Sequence, residues 1–217
     1  MLVLSSDSIY RSERLLALEW LSHGFGTRLS ADWPGDYTSV KQVHSDVVHH
    51  ASRQGECLGQ GDALVSGQPG VMIGVRTADC VPVLLVDPER RIVAAVHAGW
   101  RGTAQQIAAK VAAEMAPQPA TLLAVIGPCI GECCYEVGPE VSDRFRALFP
   151  EREDLSHIDL AEANRRQLLA AGLPAANIEV AGLCTRCNLD LHSFRRDKEA
   201  SGRMVSAIGI RASAGRT

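Results

Sequence analysis

Val81-Pro82-Val83-Leu84-Leu85-Val86, then Asp87-Pro88-Glu89-Arg90, then Arg91-Ile92-Val93-Ala94-Ala95-Val96 is the stretch that decides the fold. Two apolar runs flank a four-residue turn opened by Asp-Pro, the chemistry of a β-hairpin. Both runs are apolar at consecutive positions, so each strand is covered on both faces and belongs to a buried sheet. With the turn centred on Pro88 and Glu89, cross-strand partners have residue numbers summing to 177. Cys80 and His97 then stand directly opposite one another, with Cβ atoms ~4.5 to 5.5 Å apart. At that separation a thiolate and an imidazole can share one small ion.

Outward from the hairpin, further strand-like runs appear at Val71–Val75, Leu122–Ile126, Ile178–Ala181 and Met204–Ile210. Helical spacing appears over Ser12–Leu21, Thr103–Met115, Pro139–Phe149 and Leu160–Ala171, with Ile107, Val111 and Met115 recurring every four residues. A mixed α and β fold with helices outside a buried sheet layer follows, and its strand order is left open. No linker, repeat or low-complexity tract divides the chain, so residues 1–217 are read as one domain.

Composition narrows the function classes. The chain is 46% hydrophobic and 22% charged with a net charge of −3, the balance of a core-forming globular protein. Its 22 Lys and Arg against 25 Asp and Glu give no basic footprint for a phosphate backbone, so no nucleic-acid partner is expected. Asp7, Arg11, Glu13, Arg14 and Glu19 interrupt any apolar leader, and no stretch approaches a membrane span. The seven cysteines are odd in number and carry no secretory context. Reduced thiols and a cytoplasmic location are expected. Cys184-Thr185-Arg186-Cys187 is a lone C-x-x-C, and Cys129, Cys133 and Cys134 make no finger pattern. No glycine-rich dinucleotide or P-loop fingerprint is present.

A zinc ion is held by thiolate sulfur at ~2.3 Å and imidazole nitrogen at ~2.0 to 2.1 Å, and a catalytic site keeps three protein ligands with one position open. Cys80 and His97 supply two, and His44 in Gln42-Val43-His44-Ser45 is the candidate third. Spacing alone leaves open a cysteine and a histidine merely packed at a strand end.

Resemblance bears on that choice. His23-Gly24-Phe25-Gly26-Thr27-Arg28, Gln42-Val43-His44-Ser45, Thr77-Ala78-Asp79-Cys80-Val81-Pro82, His97-Ala98-Gly99-Trp100-Arg101-Gly102, Ile126-Gly127-Pro128, Tyr135-Glu136-Val137-Gly138, Cys184-Thr185, Ser193-Phe194-Arg195-Arg196-Asp197 and Gly202-Arg203 fall in the order of one family. From about Leu21 to Ile210 the chain resembles the polyphenol oxidase or laccase-domain family of zinc-dependent purine nucleoside phosphorylases. The resemblance implies an α+β fold of two packed mixed β-sheets flanked by helices, in αββα layers. It implies His44, Cys80 and His97 as metal ligands, with zinc as the cofactor and copper possible on the same set. The implied activities are phosphorolysis of adenosine, inosine and methylthioadenosine, and deamination of adenosine, so purine nucleosides and phosphate are the expected partners. The oligomeric state is left open.

Deamination needs a nucleophilic water at neutral pH, which an open zinc position provides by lowering the pKa of bound water to ~7. Phosphorolysis needs an anion clamp. Arg101, on a loop leading into a helix near Thr103, and Arg28, in the Gly-Phe-x-Thr-Arg segment, are the candidates, each weighed against an ordinary surface arginine. Gly26 stands where the family usually has Ser. Asp79 is a candidate catalytic residue beside Cys80, orienting a ligand or acting as a base, unless it points away as a strand neighbour. The alternative enzyme is a cysteine-dependent hydrolase with Cys80 as nucleophile and His97 as base, acting on peptidoglycan precursors as some relatives do. A true multicopper oxidase would need several His-x-His pairs, and none of the seven histidines forms one.

Overall fold

Thirteen strands and six α-helices form among the described residues of the computed structural model, which are 1–30, 32–116 and 118–212; Ala31, Pro117 and residues 213–217 of the expected single domain lie outside them. The strands are β1 (Leu2–Leu4), β2 (Tyr10–Ser12), β3 (Leu21–Phe25), β4 (Ser39–Lys41), β5 (Val48–His50), β6 (Cys57–Gln60), β7 (Ala63–Ser66), β8 (Met72–Thr77), β9 (Val81–Asp87), β10 (Ile92–Ala98), β11 (Leu123–Ile126), β12 (Ile178–Val180) and β13 (Met204–Ile210). The helices are α1 (Glu13–Leu16), α2 (Trp100–Ala104), α3 (Ile107–Met115), α4 (Pro139–Ser142), α5 (Leu160–Ala170) and α6 (Phe194–Asp197).

Two sheets pack face to face. One is five-stranded, in the order β1-β2-β3-β13-β8, and antiparallel throughout. The other is six-stranded and mixed, in the order β12-β11-β9-β10-β7-β5, antiparallel at its centre and parallel at both edges. A small parallel pair, β4 with β6, stands apart. Leu84, Val86, Val93 and Ala95 point between the sheets against Phe25, Ile73, Val75 and Ile208. Their neighbours Val83, Leu85, Ala94 and Val96 point the other way, against Ile107, Val111, Leu160 and Leu168 of α3 and α5. The hairpin is thus apolar on both faces because each face is a different core, and each fully buried Val or Leu contributes about 1.5 to 3 kcal/mol of burial. On the far side, α1 packs against β2 and β3, and Trp33 and Tyr37 lie over Gly24 and Gly74.

The hairpin register differs from expectation by two. Val93 pairs with Val86 and His97 with Pro82, so partner numbers sum to 179 rather than 177. The reason is Asp87, which stays in the ladder opposite Ile92 while its Oδ1 accepts the amides of Glu89 and Arg90 at 3.0 and 2.9 Å. The turn therefore spans Pro88 to Arg91, and Arg91 takes a left-handed φ of 51° to close it. A shift of two preserves the face of every side chain in the ladder, and Cys80, one residue before it, stands diagonal to His97 rather than opposite it.

Three helices are shorter than their spacing suggests. Ser12–Leu21 is helical only over α1, because Leu21 is drawn into the buried strand β3. Thr103–Met115 breaks at Gln106, whose φ is 62°, while Gln167 Nε2 of α5 donates to the Thr103 carbonyl at 2.8 Å. Pro139–Phe149 is α-helical only over α4 and continues in three-residue turns that still bury Phe145 and Phe149. Among the described residues, no helix is long and apolar enough to cross a membrane.

Candidate functional site

Three ladder ends converge at one edge of the six-stranded sheet. Cys80 immediately precedes β9, His97 is the penultimate residue of β10, and Asp62 immediately precedes β7, the other neighbour of β10. His44 arrives from the loop between β4 and β5. The donor atoms of His44, Cys80 and His97 all lie within 4.8 Å of one another. Cys80 Sγ is 3.9 Å from His44 Nε2, and the two imidazoles meet edge to face with centroids 4.9 Å apart. Gly99 stands beside them without a side chain, since a Cβ there would fall 2.8 Å from the His44 ring and 3.1 Å from Cys80 Sγ.

Asp62 assembles this trio. Its Oδ1 sits 2.7 Å from His97 Nδ1 and accepts the His44 amide at 3.0 Å. Its Oδ2 accepts the amide and hydroxyl of Ser45 at 2.6 and 2.7 Å and the Val43 amide at 3.2 Å. These amides hold His44 at a left-handed φ of 61°, a conformation that costs about 1 to 3 kcal/mol without such support. With Nδ1 engaged by the carboxylate, His97 turns Nε2 toward Cys80 as the free donor. Asp62 was not singled out in the sequence, where its signal is one acid at the head of the apolar run Ala63-Leu64-Val65.

Electrostatics follow from the same contacts. Burial pushes the Cys80 thiol up, but hydrogen bonds with His44 and His97 and the charge on those rings outweigh it and leave the pKa at about 6. Burial pushes His97 down, and Asp62 and Cys80 more than reverse this, raising it to about 9. Burial likewise raises Asp62, and His97 and Ser45 bring it well below the ordinary carboxylate range. Both shifts run in the direction that favours a thiolate beside an imidazolium. The soft sulfur with two imidazoles fits zinc or copper, and two tetrahedral zinc bonds to S and N would hold those atoms about 3.5 Å apart, near the 3.9 Å found.

The trio opens onto a cavity of about 870 Å³, lined also by Gln42, Arg76, Asp79, Ile130, Tyr135, Phe194, Arg195 and Arg203. Asp79 has φ 86°, and its carboxylate accepts the Thr185 hydroxyl and the Arg195 amide, both at 2.6 Å. Neither Asp79 nor Cys80 is within a strand, so the alternation expected of strand neighbours does not govern them. Burial raises the Tyr135 hydroxyl to about 12, and the Arg195 guanidinium lies 5.3 Å from the Tyr135 ring centroid.

Neither sequence-chosen arginine lines this cavity. Arg101 is inside α2, stacks on Trp100 at 4.3 Å and faces a separate cavity with Ala104, Gln105 and Arg144. Arg28 pairs with Asp197 at 3.6 Å and reaches the Leu189 carbonyl. Arg76, Arg195 and Arg203 supply the positive lining instead. Their sequence signal was faint: only Arg195 and Arg203 fell in quoted motifs.

Residues 27–211 match the family described as multi-copper polyphenol oxidoreductase laccase, and the chain belongs to it. A purine nucleoside phosphorylase of Deinococcus radiodurans is 40% identical over 190 residues, covering 84% of this chain and 73% of that protein. The protein named adenosine deaminase RL5, from an unknown prokaryotic organism, is 46% identical over 160 residues, covering 68% of this chain and 61% of its own length. The crystal structure of YlmD from Geobacillus stearothermophilus superposes with a TM-score of 0.86 at 28% identity, over 97% of this chain and 98% of that one. The two packed sheets with flanking helices are therefore the architecture of that fold.

Proposed function

We propose that the protein is a metal-dependent purine nucleoside phosphorylase that also deaminates adenosine, with zinc on His44, Cys80 and His97. The observation carrying this reading is the three-donor trio on the wall of a cavity large enough for a nucleoside and lined by three arginines. The names of the relatives from Deinococcus radiodurans and of RL5 support the two activities. Adenosine, inosine and methylthioadenosine are the proposed substrates.

When bound, the metal supplies Lewis acidity and an activated water at neutral pH. The remaining roles fall to side chains of this chain. Arg195 and Arg203, with Arg76, neutralise and orient the phosphate dianion against the ribose. Tyr135 and Phe194 offer aromatic faces to the purine. Asp62 keeps His97 in one tautomer, and Asp79 fixes the backbone of Arg195 through its 2.6 Å hydrogen bond, a positioning role. Arg28 and Arg101, the anion-clamp candidates of the sequence, stand outside this cavity.

The test is product analysis from adenosine with and without phosphate. Free adenine with ribose 1-phosphate appearing only when phosphate is present, together with inosine formed in its absence, supports the reading. Base release independent of phosphate overturns it.

A second reading rests on the adjacency of Cys80 Sγ and the His97 ring within 4.8 Å, which also describes an acyl-transfer pair. A covalent acyl adduct trapped on Cys80 of a metal-free, active protein favours this cysteine-dependent hydrolase, with peptidoglycan precursors as its substrates.

A further inference from the structure

Cys133, Cys134, Cys184 and Cys187 carry no finger spacing in the sequence, yet their four sulfur atoms all lie within 4.8 Å of one another. Cys134 and Cys187 are 3.4 Å apart at sulfur, Cys133 and Cys134 are 3.5 Å apart, and Cys133 and Cys187 are 3.8 Å apart. A tetrahedral ion with four metal–sulfur bonds of ~2.3 Å spaces its sulfurs about 3.8 Å from one another. The three edges among Cys133, Cys134 and Cys187 are already close to that length, Cys184 lies within 4.8 Å of each, and all four cysteines are free thiols.

The backbone around the cluster is built for thiolate. The Gly131 amide donates to Cys184 Sγ at 3.3 Å. Amide donors aimed at sulfur stabilise its charged form, which is the form a metal binds. Gly131 is free of a side chain where one would collide, because its Cβ would lie 3.2 Å from Cys184 Cβ and 3.3 Å from Cys133 Sγ.

We propose that these four cysteines form a second metal site, a closed tetrathiolate for one thiophilic divalent cation, with zinc the expected ion. Four protein sulfurs fill the coordination shell and leave no open position, so the ion is structural. Loading releases the remaining thiol protons to solvent. Its place in the fold gives the ion a task. Cys133 and Cys134 sit between Ile130 and Tyr135, and Cys184 and Cys187 precede Phe194 and Arg195, all four of which line the cavity. The two loops already meet through a bridge between Cys129 and Cys184 and through the Thr185 amide on the Cys129 carbonyl at 2.9 Å. The ion pins the outer ends of these loops and so fixes that wall. This proposal goes beyond the functional reading and does not rest on it.

The experiment is metal analysis with cobalt replacement on the full chain. Purified wild type is expected to hold two zinc ions per chain, and both Cys80→Ser and the double variant Cys133→Ser/Cys187→Ser to hold one. Cobalt(II) loaded into Cys80→Ser should give the intense sulfur-to-cobalt charge-transfer and ligand-field bands of a tetrathiolate. Those bands should be missing from the double variant, which keeps the weaker spectrum of a one-sulfur site. If the double variant fails to fold, the cobalt spectrum of Cys80→Ser decides alone. Zinc content unchanged by the double substitution, or no tetrathiolate spectrum in Cys80→Ser, overturns the proposal. So does mass spectrometry showing the four cysteines joined as disulfides in the freshly isolated protein.

Discussion

The trio at Cys80 and the cluster at Cys184 both gather sulfur at the end of a loop, but they are built for opposite ends. At Cys80 one sulfur and two imidazoles stand on a cavity wall that runs from the exposed His44 to the buried His97, oriented by the Asp62 carboxylate. At Cys184 four sulfurs face one another in two loops, with the Gly131 amide donating to one of them and no carboxylate behind them among the hydrogen bonds of the described residues. Three donors with space beyond them leave a position for a reactant, whereas four donors close the shell. In the two proposed readings, what separates chemistry from architecture is the open coordination position and the carboxylate behind it, not the presence of cysteine.

The harshest way to break that contrast is Cys80→Ser. A hydroxyl is a poor ligand for a soft ion, so phosphorolysis and deamination should both fall to background while the thermal unfolding midpoint stays near that of the wild type. Appreciable turnover by a metal-free Cys80→Ser protein would remove the trio from the chemistry. Next comes Asp62→Asn, which replaces one accepting oxygen with a donor facing amide N–H groups and the His97 ring. Activity should drop about 10- to 100-fold through a loosened His97, and the fold should lose about 3 kcal/mol in denaturant titration.

Arg195→Ala and Arg203→Ala should each raise the apparent KM for phosphate roughly ten- to a hundredfold, the loss of one charge-assisted contact of about 1.5 to 3 kcal/mol. Deamination, which uses water, should change little, and Arg101→Ala should alter neither rate more than about threefold. A phosphate KM that moves with Arg101 and not with Arg195 would return the anion site to the neighbouring cavity. Cys133→Ser/Cys187→Ser is expected to act on stability instead. An ion present at about a hundred times its Kd stabilises by about 2.7 kcal/mol, so the fall in thermal midpoint on adding chelator should be roughly 5 to 11 °C larger in the wild type than in the variant.

The mildest effect on turnover comes from a histidine in neither centre. His23 is buried and accepts the Ser12 amide at 2.9 Å through Nε2, and burial lowers its pKa to about 4. Between about pH 6.5 and pH 4 the unfolded chain therefore binds a proton that the folded chain refuses, so stability falls as pH falls through that window. The loss should approach about 3 kcal/mol at the acid end and be reduced in His23→Gln. Denaturation at stepped pH measures it, and identical pH slopes for both proteins would contradict it.

Legibility in the sequence varied with how local the signal was. Strand β13 is found at its expected ends, Met204 and Ile210, and β9 and β10 within two residues of theirs, because runs covered on both faces have no polar positions to blur them. Strands β1 to β7 carried no such run. They are three to five residues long, several at sheet edges, and their pairing partners supply the order that their own composition does not. His44, Cys80 and His97 were legible as chemistry because thiol and imidazole side chains are rare and each sat in a motif. Asp62 was not, because a carboxylate is common and its importance lies in five groups it meets only after folding.

The sequence by itself determined that this chain buries a sheet on both faces, that a hairpin turns just after Asp87, and that a cysteine and two histidines were available to meet. Apolar period, turn chemistry and donor type are properties of residues and survive without coordinates. Tertiary structure alone decided the register of that hairpin, the choice of Arg195 and Arg203 over Arg101 and Arg28 at the cavity, and the meeting of four cysteines from loops some fifty residues apart. Those outcomes depend on where a capped turn closes and on which loops pack together, and contacts between distant segments leave no periodicity in the chain that forms them.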